Sequence, residues 1–168
     1  RIHETSGGNP FYAIELARAL EDQTPGIDMM LPGNLVELVR ARIDSLGPDV
    51  HDALLAASCL ATPTVEFVAS ATSTDVDQLV GLLEDAEAKG VIALDGNRIR
   101  FVHPLLARGV YTDAPEERRR NTHRRLAAII DEPELRARHL ALAATRGDDV
   151  TLAALDEAAE SARQRGAP

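Results

Sequence analysis

Five histidines and one cysteine are the side chains of this 168-residue chain best suited to proton transfer, nucleophilic attack or metal binding: His3, His51, His103, His123, His139 and Cys59. None of the histidines stands at a metal-ligand spacing from another or from the cysteine, so no metal site is expected. Cys59 follows the apolar helical pattern of Leu54-Leu55 and Leu60, and reads as a small buried hydrophobe rather than a nucleophile. The adjacent carboxylates Glu116-Glu117 and Asp148-Asp149 are of the kind that cap helices or solvate a surface. No Gly-rich loop ends in Lys-Ser/Thr, so a phosphate-cradling P-loop is excluded. No self-contained catalytic constellation remains, and no catalytic residue is expected.

Two places rise above that background. His103 directly follows a candidate strand and precedes Pro104, which can open a helix. A histidine there can reach a ligand or neighbouring domain across the strand-helix junction, or serve as a satisfied structural residue. The turn Gly7-Gly8-Asn9-Pro10 exposes backbone N–H groups at a helix start, and its small residues permit close packing on a flat ligand or another domain.

The elements that must position these residues are mostly helical. Asn9 can cap a helix with Pro10 at its first position, followed by Phe11, Ile14, Leu16 and Leu20 at helical spacing. Residues 22–33 read as a loop, and Asn34 with Glu37 resembles a capping box opening the next helix. Gly47-Pro48 ends that helix and starts another. Thr62-Pro63 reads as the following cap and first turn, and Thr74 with Asp77 as the cap of a longer helix that closes at Gly90. The period then drops to two: Val91–Leu94 and Arg98–Val102 flank Asp95-Gly96-Asn97, a hairpin with Ile92, Leu94, Ile99 and Phe101 on one face. Helices resume at Pro104. Asp113 with Glu116 reads as a cap, and Pro133 interrupts before two Ala/Leu helices near 134–146 and 149–164. Ala137, Ala141 and Ala144 can approach Ala154, Ala158 and Ala162 closely, as in an αα-hairpin.

Three helices followed by a hairpin and a helix is the order of a winged helix-turn-helix. Its recognition helix would fall near 75–89, which carries Asp75, Asp77, Glu84, Asp85 and Glu87 against Lys89 alone. That surface repels phosphate, and the whole chain carries a formal net charge of -9. A basic stretch does exist at 98–125, with eight arginines against Asp113, Glu116 and Glu117. It reads as a solvated helix face or as a docking surface for an acidic partner or phosphate. No apolar run is long enough for a membrane helix, and no secretory signal is visible. The chain begins at Arg1 rather than Met, which leads us to expect a piece of a longer, cytoplasmic protein.

Gly7-Gly8-Asn9-Pro10-Phe11, then Glu15-Leu16-Ala17, then Leu31-Pro32-Gly33-Asn34-Leu35 and Leu38-Val39-Arg40-Ala41-Arg42 resemble the end of the ATPase module in large ATP-binding regulators of the LuxR type, bacterial signal-transduction ATPases of the STAND class. The resemblance continues through Phe101-Val102-His103-Pro104-Leu105-Leu106 to Val110-Tyr111, and through Arg118-Arg119-Arg120 and His123-Arg124-Arg125-Leu126-Ala127. It covers essentially the whole chain. It departs from the family pattern at Gly109, which weakens a helix by propensity.

The resemblance implies a nucleotide-binding core before this segment, then a helical lid, a winged helix, a helical-repeat sensor and a C-terminal helix-turn-helix for promoter DNA. It implies that Gly8, Asn9 and Pro10 pack near the adenine and that His103 contacts the β-phosphate of ADP. The fold expected is mainly α, with a helical lid segment at 1–46, a winged helix at 47–131 with its hairpin at 91–102, and antiparallel helical-repeat-like structure at 132–168. ADP or ATP would belong to the full-length parent rather than to this segment alone. Its partners would be the other domains of the same chain, a second copy in the active state, and DNA only through the missing C-terminal domain. A stand-alone winged-helix DNA binder and a non-enzymatic helical interaction module are the competing readings.

Overall fold

A computed structural model describes Ser6 and residues 8–21 and 35–166. The expected loop at 22–33, the Asn34 cap, and the Leu31–Asn34 part of the family resemblance lie outside the described residues. Within them the chain is mainly α, with one two-stranded antiparallel hairpin. The helices are α1 Pro10–Glu21, α2 Leu35–Asp44, α3 Pro48–Ser58, α4 Val65–Thr72 and α5 Val76–Ala88. Strands β1 Ile92–Asp95 and β2 Arg98–Phe101 come next, then α6 Pro104–Asp113, α7 Glu116–Ile129, α8 Pro133–Ala143 and α9 Asp149–Gln164.

Several ends are built as the sequence predicts. Asn9 Oδ1 accepts from the Tyr12 N–H at 3.1 Å, so α1 is capped with Pro10 at its start. Gly90 takes φ +65 beyond α5, and the Val91 N–H returns to the Ala86 carbonyl at 2.9 Å, the Schellman closure of a helix end.

Three caps differ. Thr64, not Thr62, caps α4, because Thr64 is extended and the Pro63 carbonyl serves the sheet. The Ile99 N–H donates to the Pro63 carbonyl at 3.0 Å and the Val65 N–H to the Asn97 carbonyl at 2.8 Å. Asp75, not Thr74, caps α5, its Oδ1 accepting from Asp77 N–H at 2.9 Å. Asp113 is the last residue of α6 and pairs with Arg40 at 2.7 Å rather than capping α7. The orphan carbonyls at that corner are met by Arg119, whose guanidinium donates to Ala114 O at 2.8 Å and to Tyr111 O and Thr112 O at 3.3 Å.

The hairpin register pairs Ile92 with Phe101 and Leu94 with Ile99, which puts the four expected residues on one face. Thr64 bridges Arg98 antiparallel, adding a short third element beside β2. The α3–α4 connection is thereby tied to the wing.

One continuous apolar core runs through α2 to α7. Leu54, Val68, Leu79, Leu83, Leu106 and Leu126 are fully buried in it. Val39 and Ile43 of α2, and Leu46 just beyond it, join it, so α2 packs on the winged-helix elements across the boundary drawn at 46/47. Gly109 explains how closely. A Cβ there would stand 3.0 Å from Val39 Cγ1 and 3.1 Å from Ile43 Cδ1. Helix contact rather than propensity alone therefore accounts for glycine at this position.

The α8–α9 pair closes the chain as an antiparallel hairpin. Ala137 and Ala154 are buried, whereas Ala141 is exposed, so the small-residue contact is shorter than the sequence suggests. The hairpin exposes Leu135, Leu142, Val150, Leu152 and Leu155. No helix among the described residues is long and apolar enough to cross a membrane.

Candidate functional site

The two places singled out in the sequence meet through Phe11. Its ring stacks on His103, centroids 3.7 Å apart and planes 10° from parallel. Pro10 starts the helix that carries Phe11, and Gly8 and Asn9 form the turn before it. All three turn residues are exposed. Gly8 adopts φ +80, a conformation that favours glycine, and nothing lies within 4 Å of where its Cβ would be. Backbone conformation therefore accounts for glycine at this position, without close packing.

His103 is half-buried at the N-terminus of α6 and caps it: Nδ1 accepts from the Leu105 N–H at 3.1 Å. An accepting Nδ1 puts the proton of the neutral ring on Nε2. Nε2 has no hydrogen-bond partner among the described residues, so the ring presents a donor that the cap does not consume. Phe11 holds the ring plane and Leu105 sets its tautomer. Together they pre-orient that donor.

Beside the stack lies a buried ion pair that the sequence reading did not assign to a site. Glu15, 2% exposed, receives Arg42 at 2.7 Å on Oε2, and Arg18 stands 3.9 Å from Oε1. Burial raises the Glu15 carboxyl above its ordinary value, while Arg42, Arg18 and His103 pull it back. Arg42 also reaches the Gly90 carbonyl at 3.4 Å, and Arg18 lies over Gly90 so closely that a Cβ there would sit 2.7 Å from its Nη1. Glu15 Oε1 and the Tyr12 hydroxyl are buried without a hydrogen-bond partner among the described residues. The cluster therefore joins α1, α2, the α5–β1 corner and the β2–α6 corner. Its signal in sequence is thin: Glu15 lies one helical turn past Phe11, on a face otherwise apolar at Leu16.

The remaining chemistry-bearing residues gather elsewhere. Cys59 sits 3.9 Å from His123 Nε2, and burial pushes its thiol up to about 11, so it is not a ready nucleophile. His123 and His139 touch through Nδ1 at 2.8 Å, a contact that no metal-site spacing announces. No group of His, Cys, Asp or Glu among the described residues is arranged to hold a metal ion. His51 Nε2 contacts the Ile43 carbonyl at 2.6 Å and ties α3 to α2.

Of the basic stretch, Arg119 is spent on the α6 carbonyls, Arg120 pairs with Glu116, and Arg118 lies 3.5 Å from Asp52. Arg124 and Arg125 form no ion pair among the described residues. No family model, no curated protein and no solved structure matches this chain.

Proposed function

We propose that this chain is a regulatory segment of an ATP-dependent bacterial transcriptional regulator of the LuxR-type STAND class. It couples the nucleotide state of an adjoining core to signal sensing and is not catalytic alone. In this reading Gly8, Asn9 and Pro10 lie by the adenine of ADP or ATP, and the Nε2–H of His103 donates to phosphate. The observation that supports it is the Phe11–His103 stack, which joins two separately recognised motifs into one surface with an uncommitted donor. The parent works in the cytoplasm, assembles with further copies when active, and contacts promoter DNA through a domain outside this segment. The acidic face of α5 supports that division of labour.

Calorimetry with ADP tests it. The 168-residue chain is expected to bind weakly or not at all and to hydrolyse no ATP, while a longer chain carrying the nucleotide-binding core binds ADP. There, His103→Ala should weaken ADP by roughly tenfold or more, the worth of one charge-assisted hydrogen bond. Unchanged affinity and exchange rate in that variant would remove His103 from the site.

A second reading, a helical protein-interaction module, draws on the exposed leucines of α8 and α9. It gains if the longer chain binds no nucleotide while Leu152→Asp abolishes self-association.

A further inference from the structure

The α8–α9 hairpin meets the rest of the molecule chiefly through α8 on α7. At the centre of that contact lie two histidines, His123 at 2% and His139 at 3% exposure, their Nδ1 atoms 2.8 Å apart. We propose that the buried His123–His139 pair is an acid-opened latch that fastens the α8–α9 hairpin to the helical core.

The geometry dictates how the latch works. Tyr111 Oη lies 3.1 Å from His123 Nε2, and Cys59 Sγ 3.9 Å from the same atom. Those two groups address one nitrogen of His123 and His139 addresses the other, so the donors string along the ring instead of converging as metal ligands would. In the neutral pair one proton lies between the two Nδ1 atoms, and the Tyr111 hydroxyl completes the chain by donating to or accepting from Nε2. One added proton fits on His123 Nε2 only if the Tyr111 hydroxyl turns to accept, and it leaves a buried charge. A second fits nowhere in the closed pair, because two N–H groups would then face each other at hydrogen-bond distance.

The surroundings offer a second proton no refuge. The charged groups that act on the pair are Arg119 from α7 and Arg138 from α8, both cationic; α3 contributes the thiol of Cys59 and α6 the phenol of Tyr111. No carboxylate is among the groups that act on either ring. On the neighbouring helices Glu66 of α4 receives Asn97, Glu116 of α7 holds Arg120, and Glu157 of α9 holds Arg136. Burial first, then repulsion from His139, then the Arg138 and Arg119 cations hold His123 down at about 4, and His139 is lowered for the same leading reason.

The sign follows. The open form binds protons that the closed form refuses, so closure is complete above the ordinary histidine value of about 6.5. It is lost progressively as pH falls toward the depressed value of His123, about 4. Across that window the open-to-closed ratio rises about tenfold per pH unit for each histidine that protonates only when open.

Hydrogen exchange on the 168-residue chain, corrected for intrinsic rates, reads the latch directly. Between pH 7 and 4.5 the protection of α8–α9 amides, divided by that of α4–α5 amides, is expected to fall about tenfold or more per unit below pH 6.5. The double variant His123→Gln/His139→Gln keeps hydrogen-bonding groups that do not titrate, and should flatten the fall. A constant ratio in the wild type, or the same slope in the double variant, overturns the proposal. Should the double variant not fold, the ring Cε1–H resonances of the wild type decide. Titration of both rings near 6.5 with the hairpin still protected overturns the latch; titration that coincides with loss of protection supports it.

Discussion

His103 and His123 are both histidines in polar clusters, and the protein treats them in opposite ways. His103 stands half-buried at a helix start, spends one nitrogen on a cap, and has a carboxylate nearby in Glu15. His123 is buried, spends both nitrogens on other side chains, and has only cations around it. The first cluster holds a mixed set of charges whose anion is the costly member. The second has no anion at all, so its neutrality is the condition of its burial. Acid therefore acts on them with opposite sign. Glu15, raised by burial, is relieved by protonation, whereas the His123–His139 pair is broken by it.

The sharpest way to break this comparison is Arg42→Met, which leaves Glu15 charged and buried at 2% exposure. A loss of about 3–5 kcal/mol in urea denaturation is expected, with Glu15→Gln/Arg42→Met recovering most of it. A loss below about 1 kcal/mol would mean that Glu15 is already neutral or well hydrated.

Next comes pH. Above about pH 6.5 the neutral His123 contributes fully, and this contribution is lost as pH falls through its depressed value of about 4. The loss comes to about 3 kcal/mol for His123 alone, measured as urea stability at pH 7 and pH 4. Over the same range α1 and α2 amides should keep their protection relative to α8 and α9. Parallel loss in both would erase the distinction.

Cys59 sharpens the contrast by rate. With its thiol pushed up to about 11, alkylation by iodoacetamide at pH 8 should run about 100-fold below that of a free cysteine. The smallest effect is that of Phe11→Ala, which removes one ring stack worth about 1 kcal/mol beyond lost burial, read as a small fall in Tm.

Much of the architecture was legible in the chain because local signals agreed with the tertiary arrangement. Pro10, Pro48, Pro104 and Pro133 each open a helix, and Gly90 and Gly96 each take the positive φ their turns require. Two of the misplaced caps share one cause: Thr64 and Asp113 took roles set by β2 and by Arg40, which a local window does not see. Asp75 differs from Thr74 only by one residue in where the helix starts.

The Gly8–Pro10 turn and His103 could be found separately, but nothing local says that Phe11 would cover the imidazole. The histidine pair carries a signal of another kind in the sequence. His123 and His139 each stand eight residues from Asp131, and an antiparallel helical hairpin brings together positions placed symmetrically about its turn. Ligand spacing was the wrong test for them. Propensity alone does not explain Gly109: a Cβ there would stand 3.0 Å from Val39 Cγ1, a contact that only the packed helices reveal.

The chain has no tryptophan and only two tyrosines, Tyr12 and Tyr111. Tyr12 lies on α1 one turn before Glu15, its hydroxyl buried and without a hydrogen-bond partner among the described residues, while Tyr111 is bonded to His123 with the Arg119 guanidinium 5.4 Å over its ring. Ultraviolet emission from the unlabelled protein therefore comes from two lamps, one in each cluster. With Tyr12→Phe the light that remains belongs to the hairpin joint, and with Tyr111→Phe it belongs to the His103 surface. Each half of the molecule can be watched alone in a cuvette without attaching a dye.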